Sequence, residues 1–316
     1  MTVIEPNDLR VACIIPTYNG KRELERLLQS LAQQHATHDV LVVDSSSSDG
    51  TTELARGRVE NVVVIPGAEF NHGGTRQKMV NDFSGYDVYV FLTQDAYLED
   101  PYALGKIVEP FLDPEVAAVC GRQLPHHDAN PLAQHARMFN YPETTEVKTK
   151  SDISRLGIKT VFMSNSFAAY RGTALTEVGG FPHHVIFAED MYVTAQLVLA
   201  GHKVVYAGSA ACRHSHNYTL LEEFRRYFDM GVFHSREPWI REAFGGAGGE
   251  GLRYVKSELG FLGLKRLYLW PTAVLRNALK LLAYKLGQRE DRLPLALKRK
   301  VGMYKGYWFG PYAEKQ

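Results

Sequence analysis

Short runs of β-branched and apolar residues recur through the first 120 residues of this 316-residue chain. Between the first two runs, Leu24, Leu27, Leu28 and Leu31 keep the i, i+3, i+4, i+7 spacing of an amphipathic helix. Strands that alternate with crossover helices predict an α/β fold, with a mostly parallel sheet and helices on both faces. The runs are VACII at 11–15, VLVVD at 40–44, VVVI at 62–65, VYVFL at 88–92 and VAAVC at 116–120.

In such sheets, ligands bind at the carboxyl ends of the strands. None of the loops after these strands reads GxGxxG or GxxxxGK[ST], which disfavours a dinucleotide-dependent dehydrogenase and a P-loop NTPase. The residues that follow the strands are therefore candidates for another chemistry. They are Pro16, Thr17, Tyr18 and Asn19 after the first strand, Asp44 after the second, and Gln94, Asp95 and Ala96 after the fourth.

Charge is divided unevenly along the chain. The total is 36 Lys and Arg against 35 Asp and Glu, a formal net charge of +1. Residues 251–316 hold 14 basic and 4 acidic residues, whereas the first 250 hold 22 and 31. An acidic body with a basic C-terminal region disfavours a nucleic-acid-coating protein and predicts that this region meets an anionic partner.

Glycines cluster in GGAGGEG at 245–251, which predicts a joint between a catalytic domain at 1–244 and a C-terminal region at 245–316. Beyond the joint, one helical face is apolar, while Arg276 and Lys280 lie opposite it. This pattern favours a basic amphipathic helix at a membrane interface, and packing on the catalytic domain is the alternative. The apolar face holds Val274, Leu275, Ala278, Leu281, Leu282 and Leu286; the candidate interface anchors are Tyr268, Trp270, Tyr304, Tyr307 and Trp308.

Three further features bear on localisation. The N-terminal segment MTVIEPNDLR lacks a basic region followed by an apolar stretch, so no secretory signal is expected. The best apolar stretch of the C-terminal region, 267–275, is shorter than the roughly 18 to 20 residues that span a bilayer. Three widely spaced cysteines, Cys13, Cys120 and Cys212, fit buried thiols in a reducing compartment. We therefore expect a cytoplasmic protein whose membrane contact is peripheral.

The motifs CIIPTYNG at 13–20 and VVDSSSSDGT at 42–51 resemble the opening of the inverting glycosyltransferases of family 2, which adopt the GT-A fold. The resemblance extends motif by motif over residues 11–235. It implies that Pro16, Thr17, Tyr18 and Asp44 hold the nucleotide of a sugar donor. A carboxylate can accept the imide N3–H of uracil or thymine, which favours a pyrimidine nucleotide. A turn or helix-cap role is the alternative for Asp44.

The segment AEFNHGGTRQKMV at 68–80 is similar to the rhamnosyltransferase branch of that family in its FNHGGTRQ string. Arg76 suits a diphosphate, because its planar guanidinium binds two oxygens and stays protonated. His72 is a further candidate donor contact, with backbone capping as its alternative.

FLTQDA at 91–96 occupies the place of the family's DxD motif, with Thr93 where the first carboxylate is expected. The resemblance therefore places Gln94 and Asp95 at the donor and leaves Asp95 as the carboxylate for Mg²⁺ or Mn²⁺. His214 and His216, two residues apart in an extended segment, share a face and are candidates to complete this divalent cation site. Capping of the helix that begins near Thr219 is the alternative for the histidine pair.

FAED at 187–190 matches the family's ED motif, whose aspartate is the general base. The resemblance implies that Asp190 deprotonates the acceptor hydroxyl, with Glu189 as an alternative base or an orienting neighbour. A favourable interaction with the dipole of the following helix is the purely structural alternative. The small polar residues at 164–166 are candidates to bind the acceptor sugar.

Together these motifs predict a metal-dependent inverting glycosyltransferase that moves L-rhamnose from dTDP-L-rhamnose to a lipid-linked glycan, at the anionic inner face of a membrane. A UDP-hexose or UDP-N-acetylhexosamine donor is the nearest alternative, and a non-catalytic nucleotide-sugar-binding protein is a more distant one. A nucleotidyltransferase should carry a Gly- and Arg-rich phosphate loop where this chain has PTYNG. No nucleic-acid partner is expected, and the oligomeric state is left open.

Overall fold

A computed structural model describes residues 8–246 and 249–313. Ala247 and Gly248, inside the predicted glycine joint, lie outside the described residues, as do residues 1–7 and 314–316. The described chain forms one sheet of eight strands. These are β1 (Val11–Thr17), β2 (Asp39–Asp44), β3 (Asn61–Val64), β4 (Val88–Leu92), β5 (Val116–Leu124), β6 (Glu146–Lys148), β7 (Phe167–Arg171) and β8 (Lys203–Arg213).

The strand order is β3-β2-β1-β4-β7-β5-β8-β6. Strands β1 to β4 are parallel to one another, as are β5 and β8, while β7 runs antiparallel to β4 and β5, and β6 antiparallel to β8. The predicted α/β fold with a mostly parallel sheet is confirmed, and the five predicted strands correspond to β1–β5. The carboxyl ends of β1, β2, β4, β5 and β8 meet at one edge of the sheet.

Helices cover both faces of the sheet. Leu24 and Leu27 of the first helix belong to the core on one face, and Met79 and Val193 of two later helices belong to the core on the other. The helices of the described chain are α1 (Lys21–Leu31), α2 (Thr51–Arg56), α3 (His72–Asp82), α4 (Ala103–Val108), α5 (Pro131–Asn140), α6 (Ile153–Leu156), α7 (Gly172–Glu177), α8 (Glu189–Leu199), α9 (Leu220–Arg236), α10 (Pro238–Phe244), α11 (Glu250–Leu262), α12 (Trp270–Gly287) and α13 (Leu295–Val301).

Helix α12 packs on α9 through small residues and cations. A Cβ on Gly231 of α9 would lie 2.2 Å from the Tyr284 carbonyl oxygen, and one on Gly287 would lie 2.1 Å from the Phe228 carbonyl oxygen. Because glycine has no Cβ, the two backbones approach this closely. The leucine-rich face of α12 consequently points away from α9. No helix in residues 8–246 and 249–313 has the length and apolarity needed to cross a membrane.

The end of the chain packs back on the sheet-containing part of the fold. Trp308 is fully buried in the core that contains α8, and the Tyr307 hydroxyl donates to the His184 carbonyl oxygen (3.0 Å). The Tyr304 hydroxyl donates to the Phe70 carbonyl oxygen. Tyr307 and Trp308 therefore do not serve as the membrane-interface anchors expected from the sequence, because core packing covers their rings. Tyr268 is exposed.

The α9–α12 contact predicts opposite effects for one substitution in two helices. Gly231→Ala should lower the free energy of unfolding by about 1–3 kcal/mol, because the new methyl group overlaps the α12 backbone. Gly260→Ala in α11 meets no heavy atom within 4 Å and should raise it by about 0.5–1 kcal/mol through helix propensity. Urea unfolding monitored by circular dichroism measures both values; equal effects of the two substitutions would contradict the packing described.

Candidate active site

Asp44 ends β2 at the carboxyl edge of the sheet and is fully buried. Its Oδ1 accepts hydrogen bonds from the hydroxyls of Thr17 (3.0 Å) and Ser47 (2.6 Å), and its Oδ2 accepts from Ser47 N (2.8 Å) and the Thr52 hydroxyl (2.7 Å). Burial alone would raise the pKa of Asp44, but these hydrogen bonds outweigh it and lower the pKa. The ionised carboxylate thus joins the loops that follow β1 and β2.

Gln94 joins the loops that follow β1 and β4. Its Oε1 accepts from Tyr18 N (2.8 Å), and its Nε2 donates to Tyr18 O (3.1 Å), while the Tyr18 ring remains exposed. A Cβ on Gly20 would lie 2.2 Å from Nε2 of Gln94, so this close approach requires glycine. The predicted donor residues of these loops consequently share one edge of the sheet.

Three non-glycine residues of the described chain have a left-handed backbone, namely Asn19 (φ 44°), Ser46 (φ 59°) and Ala188 (φ 60°). They lie after β1, after β2 and directly before α8, all beside predicted site residues. Such conformations cost free energy, persist only where surrounding contacts enforce them, and cluster at functional sites. These positions coincide with the loops that carry the predicted site residues.

Asp95, His214 and His216 come together at the ends of β4 and β8. The Asp95 Oδ2 lies 3.4 Å from His214 Nε2 and 3.7 Å from His216 Nδ1, and the three ligand atoms are all within 4.8 Å of one another. Donor atoms that share one Mg²⁺ or Mn²⁺ stand roughly 3 Å apart, so a small adjustment would let these three bind one ion. We call these residues the Asp–His–His triad. Its side chains fit a divalent cation.

The protonation states of the triad also fit a cation. Burial lowers the pKa of both histidines, that of His216 to about 3, so the imidazoles are neutral and keep lone pairs for a metal. Burial would raise the pKa of Asp95, but its polar neighbours, His214 first among them, hold it below its usual value. The histidine pair is not the cap of α9, because Thr219 and Glu222 form a capping box there.

Gln123, which lies near the end of β5, orients His214. Its Oε1 lies 2.9 Å from His214 Nδ1, and an amide oxygen can only accept, so Nδ1 carries the proton and Nε2 presents its lone pair to the triad. The Nε2 of Gln123 donates to the Ser164 hydroxyl (2.8 Å). Gln123 is not among the predicted site residues, because the apolar run that predicts its strand stops at Cys120.

A second cluster lies at the start of α8. The Glu189 Oε1 lies 3.1 Å from Arg76 Nη1 and accepts a hydrogen bond from Asn165 Nδ2 (2.9 Å), and both charged side chains are buried. Burial would raise the pKa of Glu189, but the Arg76 charge is the main factor that lowers it. Arg76 also donates to the His72 carbonyl oxygen (2.7 Å). The ion pair ties α3, which begins at His72, to the ED motif.

Asp190 has a different environment from Glu189. Its Oδ2 accepts from Asn165 N (3.1 Å) and its Oδ1 from Met191 N (2.7 Å), and no cation pairs with it among the described residues. Burial, followed by the charge of Glu189, raises the pKa of Asp190 to about 7. Two adjacent carboxyl groups therefore differ in role: Glu189 is a fixed anion, and Asp190 can exchange a proton near neutral pH.

One polar connection joins the two clusters. It runs from the Asp–His–His triad through Gln123 to Ser164, and from the next residue, Asn165, to Asp190 and Glu189. The predicted residues thus lie in three groups: the loops after β1, β2 and β4, the Asp–His–His triad, and the carboxylate pair of Glu189 and Asp190. Asn165, marked only as an acceptor contact, instead holds the carboxylates. Asn165 and Gln123 share one sequence feature that could have identified them as site residues: each is a polar residue next to an apolar run that forms a strand.

The sequence matches known glycosyltransferases. The family model described as Glycosyl transferase family 2 matches residues 12–179. The O-antigen chain rhamnosyltransferase WbaN of Salmonella anatum is 53% identical over 298 residues, covering 93% of this chain and 94% of the relative. The O-antigen chain rhamnosyltransferase RfbN of Salmonella typhimurium is 53% identical over 304 residues, covering 95% and 96%.

Solved structures share the fold at low sequence identity. The mannosyltransferase PcManGT from Pyrobaculum calidifontis, in complex with GDP-Man and Mn²⁺, superposes with a TM-score of 0.63 at 19% identity, covering 92% of this chain and 90% of that one. S. aureus TarS 1-349 gives a TM-score of 0.51 at 17% identity, covering 90% and 91%. These similarities support the fold.

The contact between Gln123 and His214 predicts a loss of cation affinity on substitution. Gln123→Leu should weaken Mn²⁺ binding about 10–100-fold, because His214 loses the acceptor that sets its tautomer and ring orientation. Titration of the protein with Mn²⁺, with free ion measured by electron paramagnetic resonance, gives the dissociation constant. Gln29→Leu, on the exposed side of α1, is the matched control. Unchanged Mn²⁺ affinity in Gln123→Leu would remove Gln123 from the cation site.

Proposed function

The chain belongs to glycosyl transferase family 2 and has the GT-A fold, and on this basis we propose that it transfers L-rhamnose from dTDP-L-rhamnose to a glycan acceptor in O-antigen-type polysaccharide synthesis. The chain is a glycosyltransferase. The observation that supports the sugar is the 53% identity to two O-antigen chain rhamnosyltransferases over nearly the whole of each chain. The remaining assignments use the geometry of the site.

The donor nucleotide is proposed to lie along the edge formed by the loops after β1, β2 and β4. The exposed Tyr18 ring offers a surface for a base. All four acceptor positions of Asp44 are occupied by the chain itself, so binding a thymine N3–H requires one hydroxyl to rotate away. The proposed donor contacts are Pro16, Thr17, Tyr18, Asp44, His72, Arg76, Gln94 and Asp95. Arg76 already contacts Glu189 and the His72 carbonyl oxygen, and the diphosphate is proposed as an additional partner of its guanidinium.

The proposed cofactor is Mg²⁺ or Mn²⁺, held by Asp95, His214 and His216. A divalent cation at this place supplies charge stabilisation for a departing nucleoside diphosphate. The chain's own contribution is a preorganised donor set: Gln123 holds the His214 tautomer, and burial keeps both imidazoles neutral. Preorganisation of this kind avoids a reorganisation cost during the reaction.

Asp190 is proposed as the general base of an inverting transfer. The acceptor hydroxyl oxygen forms the new bond to C1 of the sugar, the bond from C1 to the diphosphate breaks on the opposite face, and the hydroxyl proton passes to Asp190. Asn165 N and Met191 N hold the carboxylate in place, and Glu189 raises its proton affinity. Glu189 is a positioning residue in this scheme, because Arg76 and Asn165 occupy its contacting oxygen.

The proposed base predicts a pH profile. A base must be deprotonated to act, so kcat/KM should fall as the pH drops below about 7, the pKa expected for Asp190. Glu189→Gln should move this acidic limb to lower pH, because removal of the neighbouring negative charge lowers the pKa of Asp190. Rates of transfer from dTDP-rhamnose, measured across pH for both proteins, give the two inflections.

Asp190→Asn tests the same role without pH. Turnover should fall by about 10²–10⁴-fold while dTDP binding, measured by calorimetry, stays intact. Thermal unfolding establishes that the variant is folded. Unaltered turnover in a folded Asp190→Asn protein would exclude Asp190 as the base. If the pH profile of Glu189→Gln is not shifted, the acidic limb does not report a pKa of Asp190 that Glu189 raises.

The donor assignment predicts nucleotide selectivity. In the presence of Mn²⁺, dTDP and dTDP-rhamnose should raise the unfolding temperature, because ligand that binds only the folded state stabilises it. UDP should act more weakly, and GDP should give no shift. Stabilisation by GDP alone would contradict a pyrimidine site at Asp44, whereas a stronger response to UDP-sugars would favour the alternative donor.

The acceptor is proposed to be a lipid-linked glycan at the inner face of the cell membrane, where residues 245–316 hold the catalytic domain of residues 1–244. The basic excess of the C-terminal region supports contact with an anionic surface. A cytoplasmic, peripheral location agrees with the absence of a membrane-spanning helix from the described residues, and with three cysteines that are all buried and free.

A further inference from the structure

A stripe of large apolar side chains runs along the outside of α12 and the turn before it. Leu264 is 83% exposed, Tyr268 74%, Leu281 61% and Leu282 58%. Within α12, Val274 and Leu281 are seven residues apart, as are Leu275 and Leu282, which places these four on one side of the helix. Leu264, Leu267 and Tyr268 lie in the short turn of residues Leu264–Leu269 that precedes α12. We call this surface the leucine stripe; it consists of Leu264, Leu267, Tyr268, Val274, Leu275, Leu281 and Leu282.

The orientation of α12 is set by the opposite side of the helix. Arg276 Nε donates to Glu223 Oε2 (2.7 Å), and Lys280 Nζ lies 3.3 Å from Glu223 Oε1. Both cations are largely buried, beside the glycine contact between α12 and α9. Rotating the helix to bury its leucines would break these ion pairs. The fold therefore holds the leucines outward against the usual burial of apolar side chains.

Charge around the stripe has one prevailing sign. The acidic groups of residues 249–313 are mostly engaged: Glu258 and Glu290 are buried, and Glu250 pairs with Lys159 and Arg253. Asp291 is the remaining acidic residue of that range, and it is exposed. The exposed cations Lys265, Lys285 and Arg289 lie in or next to the stripe. Facing copies of this surface would oppose like charges, whereas an anionic surface complements it.

The stripe is structurally connected to the candidate active site. Arg276 Nη2 donates to the Tyr218 carbonyl oxygen, and the Tyr218 ring lies 4.7 Å from the His216 ring, centroid to centroid. Tyr218 and His216 also line a polar cavity of about 300 Å³. The other lining residues are His126, Asp128, Ser215, Asn217 and Glu222.

We propose that the leucine stripe is a docking surface for an anionic lipid bilayer, with its leucines in the interfacial layer and the flanking cations at the headgroups. This inference rests on the proposed function for the lipid-linked acceptor. Apolar burial supplies most of the binding, because Arg276 and Lys280 are largely buried and already paired with Glu223. Docking would hold the polar cavity beside the Asp–His–His triad near the membrane, where a lipid-linked glycan is presented.

Vesicle flotation with the full-length protein tests the stripe. The probes are vesicles of phosphatidylcholine alone and of phosphatidylcholine mixed with phosphatidylglycerol, at low and high NaCl. The double substitution L281Q/L282Q should weaken binding to the mixed vesicles by about tenfold or more. Both side chains are more than half exposed, so the variant should unfold at the same urea concentration as the original chain. The matched control is V64Q/L112Q, which changes two exposed aliphatic residues on other elements and should bind normally.

Lys285→Glu tests the charge. It should weaken binding to the mixed vesicles and leave binding to phosphatidylcholine unchanged, and the original chain should retain part of its binding at high salt, because salt does not screen apolar contacts. Normal flotation of L281Q/L282Q would overturn the proposal. A dimer in light scattering that L281Q/L282Q converts to monomer, without vesicle binding by either protein, would also overturn it and identify the stripe as a self-interface.

Donor binding distinguishes this inference from the proposed function. Calorimetry with dTDP and Mn²⁺, in the absence of vesicles, should give the same affinity for the original chain and L281Q/L282Q. Failure of dTDP to bind while the original chain floats with the vesicles would contradict the proposed donor and leave the stripe supported. Normal dTDP binding with no flotation of the original chain would support the proposed donor and contradict the leucine stripe as a membrane-docking surface.

Discussion

Hydrogen bonds among buried polar side chains at the carboxyl edge of the sheet set the geometry of the site. The connection from the triad through Gln123 and Ser164 to Asn165 joins the ends of β4, β5 and β8 to the start of α8. An unsatisfied group in such a place costs about 1–3 kcal/mol. The spacing between the cation site and Asp190 is therefore maintained by the same bonds that satisfy the buried groups.

The same constraint explains why the adjacent carboxyl groups differ. Glu189 is buried against the Arg76 guanidinium and stays ionised, whereas Asp190 receives backbone N–H groups, lies beside that fixed negative charge and has a pKa raised to about 7. The ion pair also ties α3 to α8, and the end of the chain packs beside the start of α3 through Tyr304. The C-terminal region thus supports the site while its helix α12 presents leucines outward.

Much of the fold followed from periodicity, since five predicted strands and helix α1 correspond to observed elements. The last three strands were not predicted. β6 has only three residues, and β7 follows the polar, irregular stretch at 121–160. β8 is an apolar run directly after α8, and its pattern was overlooked. Gln123 was missed because it lies beyond the apolar run of β5. The strand continues past that run, since β8 pairs with it as far as Leu124. Hydrogen bonding to a partner strand, and not hydrophobicity, decides where that strand ends.

The sequence by itself determined the α/β class, the identity of the polar residues after each strand and the uneven division of charge, because these depend on residue order alone. Only the tertiary structure decided which polar groups meet. It brought His214 to Asp95 and Arg76 to Glu189 across long stretches of chain. It also decided the orientation of α12, because the helical pattern shows which residues share a face, whereas Glu223 and the close glycine contact determine which face is buried.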